Sequence, residues 1–204
     1  KNLALTNIAS ALDEHQDNIL FANNKDQLAQ QTSTATSTLL DRLLLDHMRL
    51  SSMASDVRKV ASLPDPIGEQ FDVNTMPNGL ILSRRRVPIG VIGAIYESRP
   101  NITTDIASLC LKSGNAVILR GGSESIHSNT ALAQLIRTSV ALAGLPEDSV
   151  QFIESTDHST VDQLLAMNGM IDLLIPRGGA NLIRHVAEKA TMPTITGGIG
   201  VCHT

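Results

Sequence analysis

From residue 87 onward the chain alternates short apolar runs with stretches of helical period, and this rhythm limits the fold more than any other feature. Strands are predicted over 89–95, 116–119, 150–153, 171–175 and 194–196, with helices over 103–113, 125–143, 160–167 and 180–189. A strand with one face in water alternates apolar and polar residues, whereas Gly93-Ala94-Ile95 and Ala116-Val117-Ile118-Leu119 do not. Such strands need cover on both faces, which intervening helices give to a parallel sheet. The expected class is α/β, a Rossmann-like parallel-sheet domain over 87–204.

The preceding residues read differently. Leu3, Leu5, Ile8, Leu12, Ile19, Leu20 and Phe21 fit an amphipathic helix over 2–21 that continues unevenly toward Gln31. Ser and Thr between 31 and 38 compete for backbone hydrogen bonds and predict a break. A second helix is expected over 38–61, stopped by Leu63-Pro64-Asp65-Pro66-Ile67-Gly68, since prolines and a glycine cannot continue it. Asn78-Gly79 predicts a hairpin closed by a type I′ turn, with positive φ at both central residues. The chain thus divides into N-terminal helices (1–70), a β-hairpin (71–86) and the α/β domain (87–204). Arg84-Arg85-Arg86 reads as a solvated strand edge.

Composition narrows the partners. Sixteen basic against 20 acidic side chains give a net charge of −4, and one tyrosine, three phenylalanines and no tryptophan leave few stacking surfaces. Nucleic acid is therefore not expected. No run reaches the roughly 18 apolar residues of a membrane helix, so no membrane partner is expected and the cytoplasm is the simplest address. Two cysteines make no disulfide framework, and six scattered histidines show no metal-ligand spacing. The chain stops at Val201-Cys202-His203-Thr204 directly after a glycine-rich run, which reads as a fragment.

Ligands of open parallel sheets bind beyond the carboxyl ends of the strands. The loops there are Tyr96-Glu97-Ser98-Arg99-Pro100-Asn101, Arg120-Gly121-Gly122-Ser123-Glu124, Pro176-Arg177-Gly178-Gly179 and Thr196-Gly197-Gly198-Ile199-Gly200. Glycine lets backbone approach a ligand, helix N-termini offer free N–H groups, and arginine forks match phosphate oxygens. Each loop alone is also ordinary turn chemistry; two arginine-glycine loops on one sheet edge point to a phosphate-bearing ligand, most plausibly a nucleotide. No Gly-x-Gly-x-x-Gly follows the first strand, and Gly90-Val91-Ile92-Gly93 reads as packing rather than binding.

The stretch from Arg86 through Pro88-Ile89-Gly90-Val91-Ile92-Gly93-Ala94-Ile95-Tyr96-Glu97-Ser98-Arg99-Pro100-Asn101 to Thr103 resembles the γ-glutamyl phosphate reductases of the aldehyde dehydrogenase superfamily. The resemblance recurs from Cys110 to Ser123, in Asp172-Leu173-Leu174-Ile175-Pro176-Arg177-Gly178-Gly179, and in Gly200-Val201-Cys202-His203. It implies NADPH-dependent reduction of L-glutamyl 5-phosphate to glutamate 5-semialdehyde and phosphate in proline synthesis. It implies a cofactor held without the glycine fingerprint, by Arg99 and Pro100, Arg120-Gly121-Gly122-Ser123-Glu124 and Pro176-Arg177-Gly178-Gly179, with Arg120 suited to a 2′-phosphate. Arg99 is also a candidate for gripping the substrate's charged groups. The hairpin is the kind of element used for subunit contacts, so a homo-oligomer is expected at full length.

By the same resemblance Asn101 gives an amide to the developing oxyanion, although it equally suits a cap for the helix that follows. The chemistry needs a cysteine thiolate to attack the acyl phosphate. Cys110 sits among apolar neighbours and reads as a buried thiol; Cys202 belongs to a strand-entry motif. The nucleophile is expected in a catalytic domain beyond Thr204, so this stretch alone should bind cofactor without turnover. Thr196 stands near the position where hydrolytic relatives carry a glutamate that activates water. Two alternatives stay open: another superfamily member or the reductase half of a bifunctional pyrroline-5-carboxylate synthase, and a non-catalytic nucleotide-binding module.

Overall fold

The structure, a computed structural model, describes residues 1–31 and 36–197. Four helices open the chain: α1 (Asn2–Glu14), α2 (Gln16–Gln31), α3 (Ser37–Leu43) and α4 (His47–Ser62). Leu5, Ile8 and Leu12 of α1 recur at i, i+3 and i+7 and are wholly buried, each burial contributing about 1.5–3 kcal/mol. The predicted first helix bends at His15, where α2 swings onto a later helix. The predicted second helix is broken at Leu44-Leu45-Asp46. The cause is distant in sequence: the buried Asn23 amide donates to Leu43 O at 2.7 Å and accepts from Leu45 N–H at 2.9 Å. Asp46 then caps the new helix through Arg49 N–H at 2.7 Å.

A two-stranded antiparallel ribbon follows, β1 (Gln70–Thr75) with β2 (Ile81–Arg85). Its turn differs from the expected type I′. Pro77 has no N–H with which to close a two-residue loop, so Met76 N–H donates to Leu80 O at 2.8 Å and Gly79 N–H to Met76 O at 2.9 Å. Gly79 alone of Asn78 and Gly79 takes positive φ, at +85°, the geometry of a three-residue loop. The arginine run is an exposed, paired edge: Arg84 meets Asp72 at 3.2 Å and Arg86 meets Glu69 at 2.7 Å.

Four parallel strands build the main sheet: β3 (Val91–Tyr96), β4 (Ala116–Arg120), β5 (Val150–Phe152) and β6 (Leu173–Arg177), in the order β5-β4-β3-β6. Helices α5 (Asn101–Lys112), α6 (Ile126–Leu142), α7 (Ser159–Leu165) and α8 (Ala180–Lys189) alternate with them. Pleating sends Ile92, Ala94 and Tyr96 into one apolar cluster with α1, α4, α5 and α6. Ile95 goes to the opposite face with Val161, Leu164, Leu174 and Val186 of α7, β6 and α8. Gly93 packs, as expected: a Cβ there would lie 2.6 Å from Leu174 and 3.2 Å from Ile171.

The expected fifth strand over 194–196 amounts to a single parallel bridge between Thr194 and Leu174. Leu174 N–H donates to Pro193 O and Ile195 N–H to Leu174 O, both at 2.9 Å. Two residues on, Pro176 lacks the N–H that the ladder needs next. No described helix is long and apolar enough to cross a membrane.

Candidate functional site

Strand order reverses at β3, with β4 and β5 on one side and β6 on the other. Loops leaving β3 and β6 therefore diverge and open a crevice at the carboxyl edge. Glu97 spans it. Its N–H donates to Arg177 O at 3.1 Å, and its carboxylate accepts the Gly179 N–H at 2.8 Å. Gly179 precedes α8, which has no side-chain cap of its own, so an anion at the helix's positive end satisfies an otherwise open donor. Glu124 does the same for the β3 loop, accepting Ser98 N–H at 2.5 Å and Ser98 Oγ at 3.2 Å. Ser98 is left-handed, φ +62°, an uncommon backbone for a non-glycine residue.

Arg120 ends β4 with 5% of its surface exposed, and its Nε has no hydrogen-bond partner. Burial lowers its pKa, opposed by the nearby Glu124 and Glu97 charges. A buried guanidinium short of one acceptor carries a desolvation cost that an incoming anion relieves. Beside it lies a cleft of about 610 Å³, lined by Glu97, Arg120, His158, Asp162, Asn181 and His185. His185 Nε2 lies 2.7 Å from Asp162 Oδ1, and this contact holds the Asp162 carboxyl below its ordinary range.

Gly121 is required by the protein's own packing, since a Cβ there would collide with the Asn129 amide, and a side chain at Gly122 would displace the Glu124 carboxylate. Asn129 belongs to a buried polar chain. Tyr96 OH meets Thr103 Oγ1 at 2.6 Å, Thr103 donates to Asn129 Oδ1 at 3.0 Å, and Asn129 donates to Ser125 Oγ at 2.9 Å. Burial pushes the Tyr96 phenol above its usual range.

Arg99 and Asn101 do not line the cleft beside Arg120. They line a second cleft of about 280 Å³ with Arg42, Arg49, Asp56 and Asp105. Pro100 is the residue before α5, and Asn101, its first residue, makes no capping bond there. Instead the Asn101 amide donates to Asp105 Oδ2 at 2.9 Å. Burial raises the Asp105 carboxyl above its usual value. Ser123 is exposed at the start of a short 3₁₀ turn, Pro176 is buried in β6, and Arg177, Gly178 and Gly179 are exposed. A Cβ on Gly178 would lie 2.5 Å from the Glu97 carboxylate.

Cys110 is 4% exposed and burial pushes its thiol up to about 12, leaving it protonated and unreactive at neutral pH. Cys202, His203 and Gly198 lie outside the described residues. Among the described residues no three His, Cys, Asp or Glu side chains converge to hold a metal ion. Sequence reading assigned no site role to Asp105, Arg42, Asp162, His158 and His185, which line the two clefts. His185 meets Asp162 across 23 residues, so no local spacing announces the pair.

The aldehyde dehydrogenase family profile matches residues 2–198. A γ-glutamyl phosphate reductase of Dehalococcoides mccartyi is 57% identical over 203 residues, covering all of this chain and 48% of that protein. The solved γ-glutamyl phosphate reductase of Thermotoga maritima superposes with a TM-score of 0.95 at 43% identity, over 98% of this chain and 48% of its own. That of Saccharomyces cerevisiae gives 0.86 at 30% identity, over 98% and 52%. The chain thus spans about half the length of the relatives it matches. With a profile match over nearly all its residues and a parallel sheet of the same topology, the chain belongs to the aldehyde dehydrogenase family.

Proposed function

We propose that this chain is the cofactor-binding part of an NADPH-dependent reductase that converts L-glutamyl 5-phosphate to glutamate 5-semialdehyde and phosphate. The observation that carries the reading is the β3–α5 loop, which divides a cleft holding Arg120 from a cleft holding Asn101. One side suits a nucleotide and the other an acyl group. The names of the similar reductases support the substrate.

The residues present fit a nicotinamide cofactor. Arg120, buried with an unpartnered Nε, suits a 2′-phosphate, which favours NADP over NAD. Gly121, Gly122, Ser123 and Glu124 would flank it, and Gly178 with Gly179 at the start of α8 would take the pyrophosphate. When bound, the cofactor supplies the reducing equivalents. Asn101 holds an amide N–H toward the oxygen that gains charge, its other N–H bound to Asp105. Thr196 brings no carboxylate to activate water, which suits an enzyme that must keep water from competing with phosphate. Cys110 is too buried to act as nucleophile, and by the family resemblance Cys202 belongs to a strand-entry motif, so the thiolate is expected in the half of the similar reductases that this chain does not cover. Its exposed apolar Val73, Ile81 and Leu82 suit the β1–β2 ribbon to subunit contact in a homo-oligomer. Thiolate chemistry suits the reducing cytoplasm.

The intact protein should reduce NADP when given glutamate semialdehyde together with inorganic phosphate. Reduction at an equal rate without phosphate would contradict the reading.

A further inference from the structure

We infer that the cleft framed by Arg42, Arg99 and Asp105 holds the α-carboxylate and α-ammonium groups of an amino-acid substrate, beside the Asn101 amide that meets its side-chain carbonyl. This assignment rests on the reductase reading above and names the part of the substrate that reading leaves unheld.

Three arginines and three aspartates line this cleft, so it carries no net charge. A neutral cleft built from separated opposite charges matches a zwitterion better than a simple anion. The members differ in what they are free to do. Arg49 is consumed by the fold: it donates to Asp41 O at 2.6 Å, to Leu44 O at 2.8 Å and to Asp41 Oδ1 at 2.7 Å. Asp56 is paired with Lys59 at 2.8 Å. The side chains of Arg42 and Arg99 make no hydrogen bond or ion pair with any described residue, which leaves two guanidinium forks for a carboxylate. Asp105 is half-buried and takes a hydrogen bond from Asn101 with no cation in contact, which leaves an acceptor for an ammonium group.

The frame is rigid. Arg42 stands at the end of α3, immediately before the break that buried Asn23 fixes through Leu43 and Leu45. Asn23 is in turn tied to Ser128 of α6 at 3.0 Å. A glutamyl group has only two methylenes between its α-carbon and its reacting carbonyl, so one small cleft containing Asn101 spans both ends.

The test uses the intact enzyme with Arg42→Gln, Arg99→Gln and Asp105→Asn. Each should raise KM for glutamate semialdehyde about ten- to hundred-fold, the loss expected for a hydrogen bond to a charged group. KM for phosphate and Kd for NADPH should stay unchanged, the latter showing that the variant is folded. Selectivity for glutamate semialdehyde over butanal, which has no charged head, should fall by the same factor. An active parent whose variants keep both KM and selectivity overturns this assignment alone. A parent inert toward glutamate semialdehyde, phosphate and NADP overturns the reductase reading and the assignment with it.

Discussion

The Glu97 carboxylate accepts the Gly179 N–H at 2.8 Å, closing the crevice between β3 and β6 with a negative charge at the amino end of α8. On the proposed reading a pyrophosphate takes that same helix end. Glu97 must therefore be displaced, or must repel the ligand. Glu97→Gln should tighten NADPH binding by roughly two- to fivefold, in line with the 0.3–1 kcal/mol typical of a charge at a helix terminus. Fluorescence titration of the intact protein checks it; weaker binding would show that the carboxylate serves the cofactor.

Arg120→Ala removes the buried guanidinium whose Nε lacks a partner. Because only NADPH offers a 2′-phosphate, affinity for NADPH should fall by about tenfold or more while that for NADH changes little, as for a lost hydrogen bond between charged groups. Paired titrations with both cofactors read this directly. An unchanged preference would remove Arg120 from the cofactor site.

Asp105 gives a pH test. Burial raises its carboxyl in the folded protein above the ordinary value of 3.8. Between the unfolded and the folded pKa the folded state binds more protons, so its contribution to stability falls as pH rises through that window and stays low above it. Asp105→Asn should thus raise Tm at pH 7, and the gain should vanish near pH 3. Thermal denaturation at the two pH values decides it; a gain of equal size at both would contradict the cause. A carboxylate kept at such a cost is consistent with function traded against stability.

The sheet was legible because its signal is local. Apolar runs such as Val117-Ile118-Leu119 and the helical stripes between them need no distant partner to be recognised, and all four strands of the sheet lie within two residues of expectation at each end. Distant partners explain what was not legible. The break before α4 is made by Asn23, 20 residues upstream of Leu43, and nothing at Leu44 or Leu45 announces it. Proline explains two more differences, since the missing N–H of Pro77 changes the turn and that of Pro176 stops a strand. At the site, Arg120 and the glycines could be found from their loops. Which side of the β3–α5 loop each residue faces could not, because that depends on how α3, α4, α7 and α8 pack around it. Gly121 had a reading as a point of ligand approach, yet it is Asn129, eight positions on, that forbids a side chain there.

The division of the carboxyl edge into two clefts is the centre of this account, and Asn101→Ala tests it most directly. NADPH titration and steady-state turnover should be measured on the same preparation of intact enzyme. Turnover should fall about 10²- to 10³-fold, the usual cost of losing an oxyanion donor, while Kd for NADPH stays at the parent value. A loss of NADPH affinity as large as the loss of turnover would contradict the two-cleft arrangement.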